Sequence, residues 1–335
     1  MTEARTAERP PAPRERPRGI SGTRSLDVLA GLLIITVAVR PLLGGVLAHP
    51  AVQAWATVFV SLVIQAVPFL VLGVVISAAI STLVPPSFFA RALPRRPVLA
   101  VPVAGAAGIV LPGCECGSVP IAGGLIARGV SPAAAFAFLL SAPAINPVVL
   151  IATAVAFPGR PGVVLARFAA SLFTSVVMGW VWLRLGRSDW LRRPRRPELG
   201  DLRRWEAFRV SARHDFVHAG GFLVVGGMTA ATLNVTVPRG VLDSVGGNLL
   251  LSVVVLGTLA VVLAICSEAD AFVAASLTAF PTTAQLAFMV VGPAVDVKLF
   301  ALQAGTFGRR FALRFAPATF VVALCCALAV GAVLL

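Results

Sequence analysis

Charge is what this sequence is short of. Asp, Glu, Lys and Arg make up 13% of its 335 residues, where a soluble domain carries about 25%. Lysine occurs once, as Lys298. No G-x-x-x-x-G-K-[ST] is present, which excludes a P-loop ATPase within the chain. No Ser, His and Asp set suggests hydrolysis, and none of the three histidines, His49, His214 and His218, has a partner at metal-ligand spacing; a non-enzyme without cofactor is expected. The apolar runs do not alternate with polar residues, which excludes a β-barrel. Five cysteines within or beside apolar segments make no disulfide framework, and Cys325-Cys326 read as small hydrophobes facing lipid or core.

What is abundant is oil. Apolar residues reach 58% and the mean hydropathy is +0.92. Runs such as 58–80, 249–265 and 315–335 carry few or no charges and approach or exceed the ~20 residues of a spanning helix. An all-α polytopic membrane protein follows. The net charge of +14 is Arg concentrated at the ends of apolar runs, so it reports topology rather than nucleic-acid binding. Residues 1–24, with six Arg, three Glu and four Pro, read as a disordered basic tail. No small-residue cleavage pattern closes the first apolar run, which argues against a signal peptide.

The pattern predicts helices over 26–47 and 51–82, the second bent by Pro68. Pieces 98–112 and 116–127 hold 15 and 12 residues around a G-C-E-C-G break. At ~1.5 Å per residue neither spans ~30 Å, so the pair is one broken crossing or a hairpin. Arg-rich loops decide between them. With the N-terminus cytoplasmic, a hairpin at 98–127 followed by crossings at 132–157 and 163–183 places the ten Arg of 184–215 inside. A single crossing would place them outside, against the positive-inside rule.

The chain then repeats. F-L-V-L-G at 69–73 recurs at 222–226 as F-L-V-V-G, V-P-P at 84 as V-P-R at 237, and C-E-C-G-S at 114 as C-S-E-A-D at 266. A-P-A-I-N-P at 142 recurs as G-P-A-V-D-V at 292, and R-F-A at 167 recurs at 314. Offsets of 153, 152, 150 and 147 drift as a duplication with small deletions would. Each half has three crossings and a hairpin, so the copies are inverted, with the second hairpin at 247–280. The expected organisation is tail 1–24, N-terminal helix and first repeat 25–183, Arg-rich cytoplasmic linker 184–215 and second repeat 216–335. The linker is expected to hold anionic lipid.

Irregular backbone at membrane depth survives only when buried in protein or lining a wet cavity. The oddest residues sit on the two hairpin tips: Cys114, Glu115 and Cys116 on one, Cys266, Ser267, Glu268 and Asp270 on the other. Thiolates bind soft species, and C-x-C can chelate one, which makes Cys114 and Cys116 candidate metal ligands. A carboxylate at mid-membrane costs roughly 2.5 kcal/mol or more, so Glu115, Glu268 and Asp270 ask for a role in charge or proton handling. The plainer readings are that Ser267-x-x-Asp270 is a capping box and that Cys266 is packing. Asn146 and Asp296 each follow a helix-breaking proline, Pro143 and Pro293, by three residues. They either complete a cavity or cap the resumed helix. Two residues beyond Asp296, Lys298 is expected on a different helix face, where it either pairs with a carboxylate elsewhere or marks the cytoplasmic half of the helix.

P-G-C-E-C-G-S-V-P, followed by A-F-A-F-L-L-S-A-P-A-I-N-P and C-S-E-A-D-A-F-V-A-A-S, resembles the predicted permease family of the ArsP and YraQ type over roughly residues 51–335. The resemblance implies efflux of trivalent organoarsenicals, with Cys114 and Cys116 handling substrate. The arsenical branch has Ser where this chain has Glu115. The expected function is therefore a proton-coupled inner-membrane permease, conferring arsenical resistance or exporting a soft metal species. The alternative is a non-transporting membrane subunit or scaffold of a partner-dependent complex.

Overall fold

The computed structural model describes residues 49–85, 88, 93–94, 96–110, 114–192, 203–236 and 248–335. The expected tail and the expected helix at 26–47 lie outside them. Among the described residues, helices are the only regular structure. Residues 54–335 form one compact unit holding both halves of the expected repeat; of the other unit, residues 49–53 are described.

The first half runs α1 (Pro50–Thr82), α2 (Pro97–Ala106) with a 3-10 turn at Ala107–Ile109, α3 (Glu115–Ala127), α4 (Pro132–Ile145), α5 (Pro147–Ala156) and α6 (Pro161–Leu185). The second runs α7 (Arg204–Thr236), α8 (Leu249–Leu263), α9 (Asp270–Ser276), α10 (Thr282–Ala294), α11 (Val297–Phe307) and α12 (Arg309–Leu334). One order of long, short, short, interrupted and long helix thus occurs twice. Packing follows it: α4 lies on α2, α3 and α6 as α10 lies on α8, α9 and α12. Six segments among the described residues are long and apolar enough to cross a membrane: 50–82, 132–156, 161–185, 205–236, 282–307 and 309–334.

The interruptions have local causes. Proline sits at the first position of α2, α4, α5 and α6, where its missing N–H costs nothing. Asn146 turns to extended φ/ψ between α4 and α5, and Asp296 does so between α10 and α11. Pro143 and Pro293 lie inside the preceding helices, each three residues upstream.

Arginine marks one end of the bundle. The Trp180 indole at the end of α6 donates to the Val98 carbonyl at the start of α2 (3.0 Å). Arg192 N–H donates to the Phe307 carbonyl at the end of α11 (2.7 Å), and the Arg314 guanidinium lies 4.5 Å over Trp190. Phe136, early in α4, packs edge-on to Trp182 and Phe307 and tilted against Phe311. These contacts gather Arg96, Arg128, 184–192 and 309–314 together. Hence α2 starts at the end of the bundle to which α3 returns. At the far end Gly162 approaches the Leu334 carbonyl and Gly331 approaches Thr283.

The two glycines of the repeated F-L-V-[LV]-G motif each allow a close helix approach. A Cβ on Gly73 of α1 would overlap the Cα and carbonyl of Gly117 on α3, and one on Gly226 of α7 would crowd the Cα and carbonyl of Lys298 on α11. Small residues let membrane helices meet backbone to backbone. Gly220, on α7, has open space where its Cβ would be. Gly226→Ala is therefore expected to lower the melting temperature of detergent-purified protein. Gly220→Ala should leave it level or raise it, because the loss of helical glycine is worth roughly 0.5–1 kcal/mol. Equal effects of the two changes in a thermal-shift assay would contradict the close packing of α7 on Lys298.

Candidate functional site

Two interrupted tips meet inside the bundle. Cys114 is the extended N-cap of α3, and Glu115 opens its first turn, where a carboxylate complements the helix dipole. In the second half α8 ends at Ala264, a left-handed residue with φ 50°, which turns the chain into Cys266–Ala269 before Asp270 opens α9. Asn234 of α7 donates to the carbonyls of Val262 (3.3 Å) and Leu263 (3.2 Å), which satisfies acceptors that the end of α8 leaves open. Cys114, Glu115, Cys116, Cys266, Ser267 and Asp270 are all buried, and Glu268 is partly so.

Two of the three tip carboxylates, Glu115 and Asp270, are each neutralised by a cation from the other half. Lys298 Nζ donates to Glu115 Oε1 at 2.9 Å, and both side chains are fully buried. Arg167 Nη2 donates to Asp270 Oδ2 at 2.8 Å and to the Ser267 carbonyl at 3.1 Å. Its Nη1 donates to Thr153 Oγ1 at 2.8 Å, and that hydroxyl in turn donates to the Val149 carbonyl. Arg167 is wholly buried, and the α6 helix carries it to the α9 tip.

Lys298 also lies 3.5 Å from Asp296 Oδ2. This corrects the expectation that two residues of separation turn them apart: Asp296 is the extended N-cap of α11, outside the helical register. Its Oδ1 accepts from Leu299 N–H. Asn146 is the counterpart, accepting from Val149 N–H (3.0 Å) while its amide donates to the Ala142 carbonyl (3.0 Å). Both paired residues cap the resumed helix while lying fully buried. The capping box at Ser267 does not form. The Asp270 carboxylate turns to Arg167, the N-cap of α9 is Ala269 without a side-chain cap, and Ser267 Oγ has no partner.

The Cys114 side chain meets those of Cys116 and Cys266, so thiols from both tips come together. Among the described residues, no three His, Cys, Asp or Glu side chains are set to hold a metal ion, and Cys114 with Cys116 supply two sulfur donors. Glu115 Oε2, Asp270 Oδ1 and Asp296 Oδ2 are buried without hydrogen-bond partners. Such spare acceptors are rare in protein interiors, where more than 90% of comparable groups are paired. Soft donors, anionic oxygens and two fixed cations therefore share one buried centre. Cys325, by contrast, is exposed on α12.

A family model described as a predicted permease, ArsP_1, matches residues 51–332. The chain belongs to this permease family. It is 34% identical over 275 residues to UPF0718 protein YcgR of Bacillus subtilis (strain 168), covering 79% of this chain and 92% of that protein. It is 30% identical over 282 residues, 82% of this chain and 94% of the relative, to the "Putative two-component membrane permease complex subunit" of Streptococcus mutans serotype c (strain ATCC 700610 / UA159). No solved structure matches the chain. With six apolar spans among its described residues, the permease is a multi-pass membrane protein.

Neither Arg167 nor Lys298 stood out by motif as a partner for the tips. The signal was rarity: a lone lysine, and an arginine in mid-span that has to be paired to be tolerated. Removing one partner of a buried ion pair strands the other, at about 3–5 kcal/mol, whereas replacing both with apolar or neutral groups is close to neutral. Lys298→Met is thus expected to lower the melting temperature of the purified permease sharply. Glu115→Gln with Lys298→Met should recover part of the loss in a double-mutant cycle, the remainder being the buried Asp296 carboxylate left without its cation. Additive losses would mean that the two side chains do not depend on each other.

Proposed function

We propose that this permease is a secondary transporter of the cytoplasmic membrane, with its N-terminus inside, that exports a small thiophilic solute coupled to protons. The solute is a trivalent organoarsenical or a soft metal species. Two inverted repeats alternate access around the buried centre, and the membrane chemistry is transport rather than catalysis. The observation that carries this reading is the meeting of Cys114, Cys116 and Cys266 with Glu115, Asp270, Lys298 and Arg167 where the two interrupted tips converge. A site at the interface of repeats, built from broken helices, is the arrangement expected of secondary transporters. Inversion is supported by the twofold element order, and by α2 and α3 starting and ending at the arginine end while α10 starts at the other.

In this reading Cys114 and Cys116 take the soft centre of the solute, and Cys266 approaches from the opposite tip. Glu115, Glu268 and Asp270 carry charge or protons, while Asn146 and Asp296 hold the interrupted helices that wall the cavity. A second reading is favoured by the name of the Streptococcus relative: the chain is one subunit of a two-component complex and moves solute only with a partner.

Proteoliposomes containing the purified chain, loaded against phenylarsine oxide or Ag(I) with and without a pH gradient, separate the two. The first reading expects gradient-stimulated movement, reduced at least tenfold in Cys114→Ser and Cys116→Ser. Movement indifferent to both substitutions would overturn the thiol site. An inert purified chain that becomes active when co-purified with a second membrane protein would select the partner-dependent reading.

A further inference from the structure

The arginine end of the bundle carries a site that the transport reading does not use. The last two turns of α6 separate two clefts that share Val181 and Leu185 as a common wall. The larger cleft, about 690 Å³, lies between α6 and the start of α2 and is closed by Val98, Trp180 and Arg184. The smaller, about 200 Å³, lies between α6 and α12, with Phe315 and Trp182 along it and Trp190 and Arg314 at its edge. Each cleft is therefore an apolar slot with one arginine and at least one tryptophan.

Leu185 is 67% exposed and Val98 57%, although both belong to membrane-crossing or membrane-entering helices, so this wall faces hydrocarbon. Three of the chain's five tryptophans, Trp180, Trp182 and Trp190, lie here, and tryptophan collects at the headgroup level of a bilayer. The Arg314 guanidinium carbon lies over the Trp190 ring at 4.5 Å, and its side chain is exposed. A guanidinium resting on an aromatic face keeps a fork of N–H donors suited to phosphate oxygens. Arg187, Arg192, Arg309 and Arg310 are also exposed around the site, opposed locally by Asp189. The balance is strongly positive.

We propose that these clefts bind an anionic phospholipid, its phosphate held between Arg184 and Arg314 and its acyl chains lying along Val181 and Leu185 on the two sides of α6. Basic pockets between membrane helices on the side that faces the cytoplasm recognise such headgroups, and each arginine near the surface adds a roughly fivefold preference. A neutral lipid would fill the slots but leave the arginine pair unmatched. A protein partner would need a broader complementary surface than two slots divided by a single helix. The lipid so placed ties α6, which carries Arg167 to the centre, to α2 and α12.

The test uses the full chain, purified in detergent, with added cardiolipin, phosphatidylglycerol, phosphatidylcholine or inorganic phosphate, read by native mass spectrometry. Retained adducts of the two anionic lipids and few of phosphatidylcholine are expected. Arg184→Gln with Arg314→Gln should weaken anionic-lipid retention about ten- to thirtyfold. Leu185→Trp, which fills the shared wall without touching charge, should weaken it too. Arg160→Gln, an exposed arginine at the other end of α6, should change nothing. Equal retention of phosphatidylcholine, or full retention in the double arginine variant, overturns the proposal. Displacement of lipid by millimolar phosphate alone makes this a simple anion site and overturns the acyl-chain assignment. None of these outcomes depends on solute transport.

Discussion

A charge inside a bilayer must be cancelled locally, and the rest of this permease is arranged around how that is done. The two fully buried tip carboxylates, Glu115 and Asp270, are cancelled from the opposite half, by Lys298 and Arg167. Neither half can bury its own tip alone. The two halves are therefore coupled by the cost of separating them, which at membrane depth exceeds that of any single packing contact. The glycines at 73 and 226 serve the same constraint, since they let α1 and α7 close directly over the backbones next to Glu115 and at Lys298.

Coupling of this kind constrains without freezing. Lys298 stands between two carboxylates, bonded to Glu115 at 2.9 Å and 3.5 Å from Asp296, which rides on its own helix. Its charge keeps a partner within the second half even when the first tip withdraws. Arg167 is held differently, by Thr153, the Ser267 carbonyl and Asp270 at once. One pair is thus a fork with a spare prong and the other is a multi-point clamp. Glu115 Oε2 and Asp270 Oδ1 are buried without hydrogen-bond partners, so each pair keeps an acceptor outside its own bonds.

Much of this was legible in the sequence, and the limits are instructive. The interrupted helices announced themselves through Pro143, Asn146, Pro293 and Asp296, because helix chemistry is local. The break of 98–127 into two short helices, α2 and α3, followed from segment length, and arginine parity favoured a hairpin there through a sum over loops that needs no contact information. The cations that hold the tips were not legible, since they come from 103 and 183 residues away and no local pattern encodes such a partner. The faces assigned to Asp296 and Lys298 failed for another reason. Helical geometry was applied across a boundary where the helix had not yet begun.

The recurring tip motifs are inexact, and the two pairs differ where the motifs do. Aligning Cys114 with Cys266 sets Glu115 opposite Ser267 and Ser118 opposite Asp270. Acid and hydroxyl have exchanged places, so the carboxylates sit about one helical turn apart on otherwise equivalent tips. A cation placed for one cannot serve the other. Arg167 and its repeat counterpart Arg314 show the result: Arg167 is buried on Asp270, whereas Arg314 would face Ser118, which has no charge to offer, and it lies instead at the surface over Trp190. Glu115 draws its partner from α11, where Lys298 replaces the exposed Val148 of the first copy. Two exact copies would have offered two equal clamps. Differences at three corresponding positions accompany the fork at Lys298, the clamp at Arg167 and the exposed arginine over Trp190.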